Sequence, residues 1–227
     1  MALVWNIHRQ CEPPLSADTV VLTLGDFQYY HYNCDRVNDA GWGCGYRTLQ
    51  SMCSWIKAVQ DSQGKSTADV PSINQIQHAL VTMDDKQESF CGSKEWIGTI
   101  EATLVIDHYY DVACKIIHVP SGAALADHVD TIESHFLTGG SPIMMGGDSD
   151  AAAKAICGIC RAKNDSTDTY LLIVDPHYRD GGAVTTEALL ERELLLWKPV
   201  NSFMHSSFYN LCLPQLKLHC SKNTDIS

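Results

Sequence analysis

Two periodicities divide this chain of 227 residues, and their order limits the fold more than any composition figure. Helical spacing comes first. Leu49, Met52, Cys53, Ile56 and Val59 recur on one face with no Gly or Pro after Gly45, predicting a helix over about 44–59. Ser72 and Gln75 form a capping-box pattern that opens a short helix carrying Ile73, Ile76, Leu80 and Met83. A further helix is expected over about 94–110, with Trp96, Ile97, Ile100 and Leu104 inward and Ser93 as its cap. Leu125, Val129, Ile132 and Phe136 mark another. Strand-length apolar runs then dominate, at 142–146, 154–160, 169–175 and 208–213, broken by a helical stretch at 185–196. Earlier strands are expected at 19–24, 29–32 and 112–119. Helices followed mostly by strands describe an α+β domain, a sheet with helices packed on it.

With 45% hydrophobic and 19% charged residues, the chain has material for a core and too little charge for disorder. One domain over 1–218 with a polar tail at 219–227 is the expectation. The formal charge of -11 argues against binding a phosphate backbone, so no nucleic-acid partner is expected. No run approaches the roughly 18 apolar residues of a membrane span, and no leader or lipidation pattern is visible. A cytosolic or nuclear monomer with reduced thiols, without membrane insertion, is therefore expected. Cys157 and Cys160 form a C-x-x-C, but no second pair stands at zinc spacing and the run reads as an apolar strand. Two core thiols are the plainer reading. Asn164-Asp-Ser166 reads as a polar loop. Gly64-Lys65-Ser66 lacks the earlier glycine of a phosphate loop, and Tyr46 occupies the third glycine position of a dinucleotide fingerprint. No cofactor and no metal is expected.

Chemistry concentrates in Asp39-Ala-Gly-Trp-Gly-Cys-Gly-Tyr-Arg-Thr-Leu-Gln50. Here Cys44 stands between two glycines where a turn meets a helix. A helix N-terminus carries positive partial charge and free N–H groups, which favour a thiolate. Glycine neighbours keep side chains out of a substrate's way, and the Cys44 amide could face an oxyanion. A buried structural thiol with glycines serving helix packing accounts for the same residues equally well. Far along the chain, Asp175-Pro-His177 follows an apolar strand. Extended residues two apart share a side, and Pro176 holds Asp175 extended, so Asp175 and His177 can project together. Alone this is a strand-end pair; with Cys44 it completes a nucleophile, base and orienter. Tyr32 offers a phenol for an oxyanion, although a core aromatic is the more ordinary reading. His108, His128 and His135, on expected helices, have no such frame.

At these residues the chain resembles the ubiquitin-fold-modifier-specific cysteine proteases. The strings are Tyr30-His-Tyr-Asn-Cys-Asp35, Asp39 through Gln50, Ser93-Lys-Glu-Trp-Ile-Gly98, Pro142-Ile-Met-Met-Gly-Gly-Asp148, Asp175-Pro-His177 and Ser207-Phe-Tyr-Asn-Leu-Cys-Leu-Pro214. The resemblance implies a papain-like fold, Cys44 as nucleophile, His177 as base, Asp175 as its orienter and Tyr32 as oxyanion donor. It also implies a partner, the ubiquitin-fold modifier, processed after its terminal Val-Gly and removed from conjugated lysines. The start of the chain close to the protease motifs suggests the family's short branch. The autophagy-related cysteine proteases share Gly-Trp-Gly-Cys and Asp-Pro-His but continue differently after the cysteine. A non-cleaving modifier-binding module and a small-molecule acyltransferase are the other classes to weigh. Two further expectations are a slot for a glycine tail, framed by Trp42 and the pairs Gly139-Gly140 and Gly146-Gly147, and electrostatic steering of a basic face of the modifier by the acidic charge.

Overall fold

The computed structural model describes residues 3–14, 17–162, 168–179 and 183–217. The expected tail at 219–227 and the Asn164–Ser166 loop lie outside the described residues. The elements are β1 (Val4–Trp5), β2 (Ala17–Leu22), β3 (Gln28–Tyr29), α1 (Cys44–Ser62), α2 (Ile73–Thr82), α3 (Thr99–Tyr110), β4 (Cys114–Val119), α4 (Val129–Thr138), β5 (Ile143–Gly147), β6 (Lys154–Ala162), β7 (Thr169–Val174), α5 (Thr186–Glu191), β8 (Leu195–Pro199) and β9 (Tyr209–Pro214). The sheet runs β4-β9-β5-β6-β7-β8, with β2 also against β6, and each of these pairings is antiparallel. The architecture is the α+β arrangement expected.

Both faces of the sheet are covered. Met144, Leu172, Val174 and Cys212 face one way and pack with Leu49, Met52 and Ile56 of α1 and Val105 of α3. Ile143, Met145, Ile173 and Leu211 alternate to the other face and meet Ile132 and Phe136 of α4. The period-2 alternation of strands thus feeds two cores, which is why these strands read as nearly continuous apolar runs.

Helix α1 differs from the one-faced helix expected. It is buried nearly all round, polar residues included. Those polar groups are satisfied: Ser51 Oγ donates to the Arg47 carbonyl (3.2 Å), Ser54 Oγ to the Ser51 carbonyl (2.7 Å), and Gln60 Nε2 to the Tyr110 carbonyl (2.9 Å). The Ser72–Gln75 capping box of α2 is present as read. Cys157 and Cys160 are buried strand thiols whose pKa burial pushes up.

Three expectations fail. Helix α3 starts at Thr99 rather than near 94, because Gly98 is extended and the Glu101 carboxylate accepts from its N–H (2.9 Å). Ser93 instead accepts from the Glu95 amide in a turn. Trp96 and Ile100, expected inward, are 56% and 53% exposed. The stretch 185–196 divides into short α5, capped by Thr185, and the edge strand β8, whose pairing with β7 overrides a Leu-rich helical preference. Of the aromatic strand at 29–32, only Gln28–Tyr29 pairs, with β1.

Candidate active site

Each side chain of the 43–50 segment has an identifiable task. Gly43 and Gly45 are needed for close approach. A Cβ at Gly43 would lie 2.2 Å from Asp39 Oδ2, and one at Gly45 would lie 2.4 Å from the Ile97 carbonyl oxygen. Their glycine character therefore serves packing against Asp39 and Ile97, a tighter constraint than keeping the approach to Cys44 open. Tyr46 donates its hydroxyl to the Glu95 carbonyl (2.9 Å), fixing the 93–98 wall beside α1. Arg47 is fully buried and donates to Asp39 Oδ2 (2.8 Å), Asp35 (2.7 Å) and Gln50 (2.9 Å). Asp39 is also fully buried; its Oδ1 accepts from the Asn33 amide (2.8 Å), and its carbonyl from the Trp42 and Gly43 amides (3.1 and 2.8 Å). This ion-paired knot shapes the turn that delivers the chain to Cys44. Gly41, at φ +89°, supplies the left-handed step inside it.

Cys44 opens α1, so its amide is among the donors that the helix itself leaves unused. The opposing pair comes from the end of β7. His177 Nδ1 and its backbone N–H both bond Asp175 Oδ1, the latter at 3.0 Å. Three main-chain attachments set this strand end. The Asp175 amide donates to the Leu194 carbonyl (2.8 Å), Tyr29 OH to the Asp175 carbonyl (2.6 Å), and the Tyr32 amide to the Pro176 carbonyl (3.1 Å). The last bond carries Tyr32 into the site, where its ring meets His177 edge-on at 5.0 Å between centroids. Arg179 lies over the Tyr32 ring at 5.6 Å. The structure thus brings Cys44, His177, Asp175 and Tyr32 together from three separate stretches of chain.

The electrostatics follow from these contacts. Burial pushes the Cys44 thiol up, but hydrogen bonds from His177 and the Ala153 amide, the His177 charge and the Tyr32 hydroxyl outweigh it and leave the thiol below its ordinary value. Burial pulls His177 down, and hydrogen bonds and charges from Asp175 and Cys44 push it up to about 9. The pair is therefore held toward thiolate and imidazolium. Burial, then the Cys44 charge, raises Tyr32, so its phenol keeps its proton and remains a donor.

A cleft of about 270 Å³ reaches Cys44 between the 96–99 segment and a wall made of Gly146, Gly147, Ala151–Ala153 and Phe208. Of the slot expected, Gly146-Gly147 lines it. Gly139-Gly140 does not: Gly139 ends α4, and Gly140 makes the turn after it. Trp42 packs on Tyr46 instead, 5.6 Å between ring centroids, and Trp96 is the tryptophan of the cleft. The wall is tied down by Asp148, whose Oδ1 accepts from Ser207 Oγ (2.8 Å) and the Phe208 amide (3.1 Å). His135 is a satisfied core histidine on Ser141 (2.8 Å), His108 is exposed on α3, and His128 is half-buried at the start of α4. Sequence reasoning passed over Asp39 and Arg47; the signal was a charged residue three positions into a helix that otherwise reads as core.

The model of peptidase family C78 matches residues 18–212. The chain belongs to peptidase family C78. Among C78 relatives, Ufm1-specific protease 1 of Mus musculus is 42% identical over 194 residues, 85% of this chain and 85% of the relative. Probable Ufm1-specific protease 1 of Drosophila melanogaster is 42% identical, covering 88% of this chain and 82% of its own length. Ufm1-specific protease 2 of Homo sapiens is 38% identical over 92% of this chain, which spans 43% of that relative. The crystal structure of UfSP from C. elegans superposes with a TM-score of 0.80 at 30% identity, covering 95% of this chain and 38% of that one. The C78 chain thus spans most of the protease 1 relatives and under half of the protease 2 relative and the nematode structure, and its fold is the papain-like one expected.

Proposed function

We propose that this chain is a thiol protease that processes the ubiquitin-fold modifier Ufm1, cleaving after the modifier's C-terminal Val-Gly and releasing it from conjugated lysines. The observation that carries this reading is Cys44 at a helix N-terminus against the Asp175-held ring of His177, at the end of a glycine-walled cleft. Relatives bearing the name Ufm1-specific protease, 42% identical over most of their length, supply the substrate class.

The chemistry assigns one task to each group. The Cys44 sulfur attacks the carbonyl carbon of the terminal glycine. The Tyr32 hydroxyl and the Cys44 amide donate to the oxygen as it gains charge. His177, its Nδ1–H committed to Asp175, gives its proton to the departing amine as the C–N bond breaks, leaving a thioester. Water, deprotonated by His177, then hydrolyses the thioester and restores the thiol. The small residues of the cleft wall suit a main chain passing without bulky side chains.

Incubation with a modifier carrying a C-terminal electrophile tests the assignment. Covalent capture at Cys44 is the expected result, and non-covalent binding alone would reduce the protein to a binding module. Tyr32→Phe should lower kcat about 10²–10³-fold, measured on a modifier fusion; a rate near wild type would leave Tyr32 a core aromatic. The pH profile has a definite sign. As pH rises, kcat/KM climbs while Cys44 loses its proton, below the ordinary thiol value of 9.0, and falls as His177 loses its proton near pH 9. Asp175→Asn removes a charge that favours the imidazolium, so the alkaline limb should move down toward the ordinary histidine value of 6.5.

A further inference from the structure

Beyond the four residues at the reaction centre, the cleft contains an amide side chain whose acceptor is already taken. Residues two apart on a strand face the same side. On β9, Cys212 packs beneath α3, where Thr103 Oγ1 lies 3.5 Å from its sulfur. Asn210 shares that face one step along, where the strand reaches the cleft. Its cross-strand neighbours are His118 of β4 on one flank and Gly146 of β5 on the other. His118 Nδ1 lies 2.8 Å from Asn210 Oδ1. A carbonyl oxygen only accepts, so the imidazole donates, and the carbonyl end of the Asn210 amide is occupied by its neighbour. The donors left are the two N–H bonds of its NH₂ group. On the opposite flank, a Cβ at Gly146 would meet nothing within 4 Å. The strand surface beside Asn210 is therefore open, unlike that at Gly147, where a Cβ would lie 2.9 Å from Ser207 Oγ.

We propose that Asn210 is a substrate-binding residue, oriented by His118, that donates its amide N–H to a main-chain carbonyl of the extended peptide segment leading to the scissile glycine. A peptide drawn into this cleft loses water from its backbone acceptors, and each needs a partner. The walls offer mainly glycine, alanine and aromatic surface, with Thr99 and Asn210 the polar side chains. Gly146 leaves room for a passing backbone, and Asn210 stands beside that room with donors to give. With its proton on Nδ1, His118 favours this orientation of the amide, because reversal would set an NH₂ group against a ring N–H unless the imidazole changed tautomer. This contact is present in the bound substrate and in the transition state alike, so it lowers KM and leaves kcat unchanged. The inference rests on the protease function proposed above and adds an acyl-side contact to it.

Steady-state kinetics on the modifier bearing a C-terminal fluorogenic amide provide the test. Asn210→Ala and Asn210→Asp should each raise KM about 5–10-fold with kcat within about twofold, the range of one net hydrogen bond. Asn210→Asp keeps the shape but replaces the donors with a charged acceptor, so a loss at least as large as that of Asn210→Ala identifies donation rather than packing. His118→Ala should raise KM about twofold to threefold alone and add nothing in the Asn210→Ala background, as for residues acting in series. Gly146→Val, with open space to occupy, should keep the wild-type Tm and the iodoacetamide alkylation rate of Cys44 while lowering kcat/KM at least about 10-fold. Unchanged KM in both Asn210 variants, or a fall in kcat at constant KM, overturns the role of Asn210. An unaffected Gly146→Val overturns the path of the substrate. A wild-type protein whose Cys44 alkylates but which does not cleave the modifier overturns the protease reading and this inference with it. Wild-type cleavage that the Asn210 variants match overturns only the inference.

Discussion

Cys44→Ser should lower cleavage of a modifier fusion by at least about 10⁴-fold, with the fold and modifier affinity retained. The size of the effect comes from what the site supplies and what a hydroxyl cannot use. Hydrogen bonds and charge from His177, with donors from Ala153 and Tyr32, hold the sulfur below its ordinary pKa despite burial. A serine hydroxyl ionises so much less readily that the same donors do not produce an alkoxide, and without the Cys44 charge that helps hold His177 protonated the thiolate–imidazolium pair is lost. The thiol site therefore does not convert to a serine site. Gel-based cleavage and calorimetric binding on one preparation check the result. Cleavage within about 100-fold of wild type would remove Cys44 from the mechanism, since other members of such a triad act only through the nucleophile.

Asp39→Ala should destabilise the fold by about 3–5 kcal/mol, the range for removing one partner of a buried ion pair. At about 2–4 °C per kcal/mol for a chain of this size, Tm falls roughly 6–20 °C. Asp39 and Arg47 have fully buried side chains 2.8 Å apart, and Asp39 also holds the Asn33 amide. Truncation leaves the Arg47 guanidinium with Asp35 as its one charged partner among the described residues and frees the turn at 39–43. Asp35→Ala is the matched control. The Asp35 side chain is 35% exposed, so water replaces much of what is lost, and its effect should stay near 1 kcal/mol. Thermal unfolding of the two variants separates the readings. Equal, small shifts would mean that the knot does not set the turn, and an unchanged pH profile for Cys44 alkylation in Asp39→Ala would mean that the turn does not set the thiol.

Much of the molecule is legible where local physics decides. The capping box of α2, the helix starting at Cys44 and the strand runs of β5, β6, β7 and β9 follow from spacing, caps and apolar runs that no tertiary contact opposed. Local rules fail where a distant partner competes with them. The segment at 93–98 has a helical pattern but is drawn out as a wall. Tyr46 holds the Glu95 carbonyl, and Gln77 holds the Ser93 carbonyl (3.0 Å) and the Gly92 amide (2.8 Å). Trp96 is consequently displayed at the cleft rather than buried. Residues 195–199 become a strand because β7 has an unpaired edge to offer. Arg47 escaped notice as a structural element because its two carboxylate partners belong to a loop with no pattern of its own.

The sequence by itself determined that a glycine-flanked thiol opens a helix, that an aspartate and a histidine leave a strand on one side, and that the chain shares its motifs with a protease family. Each of these is a property of a few adjacent residues. Only the tertiary structure decided that Cys44 and His177, 133 positions apart along the chain, come close enough to shift each other's protonation. It also set the Tyr32 ring edge-on to His177 and placed Asn210 beside an open glycine. The physical reason is that burial, pKa and the partner of each polar group depend on what the chain packs against. Here the Tyr32 amide on Pro176, Gly45 against Ile97 and the Asp39–Arg47 pair bring distant segments within hydrogen-bond range.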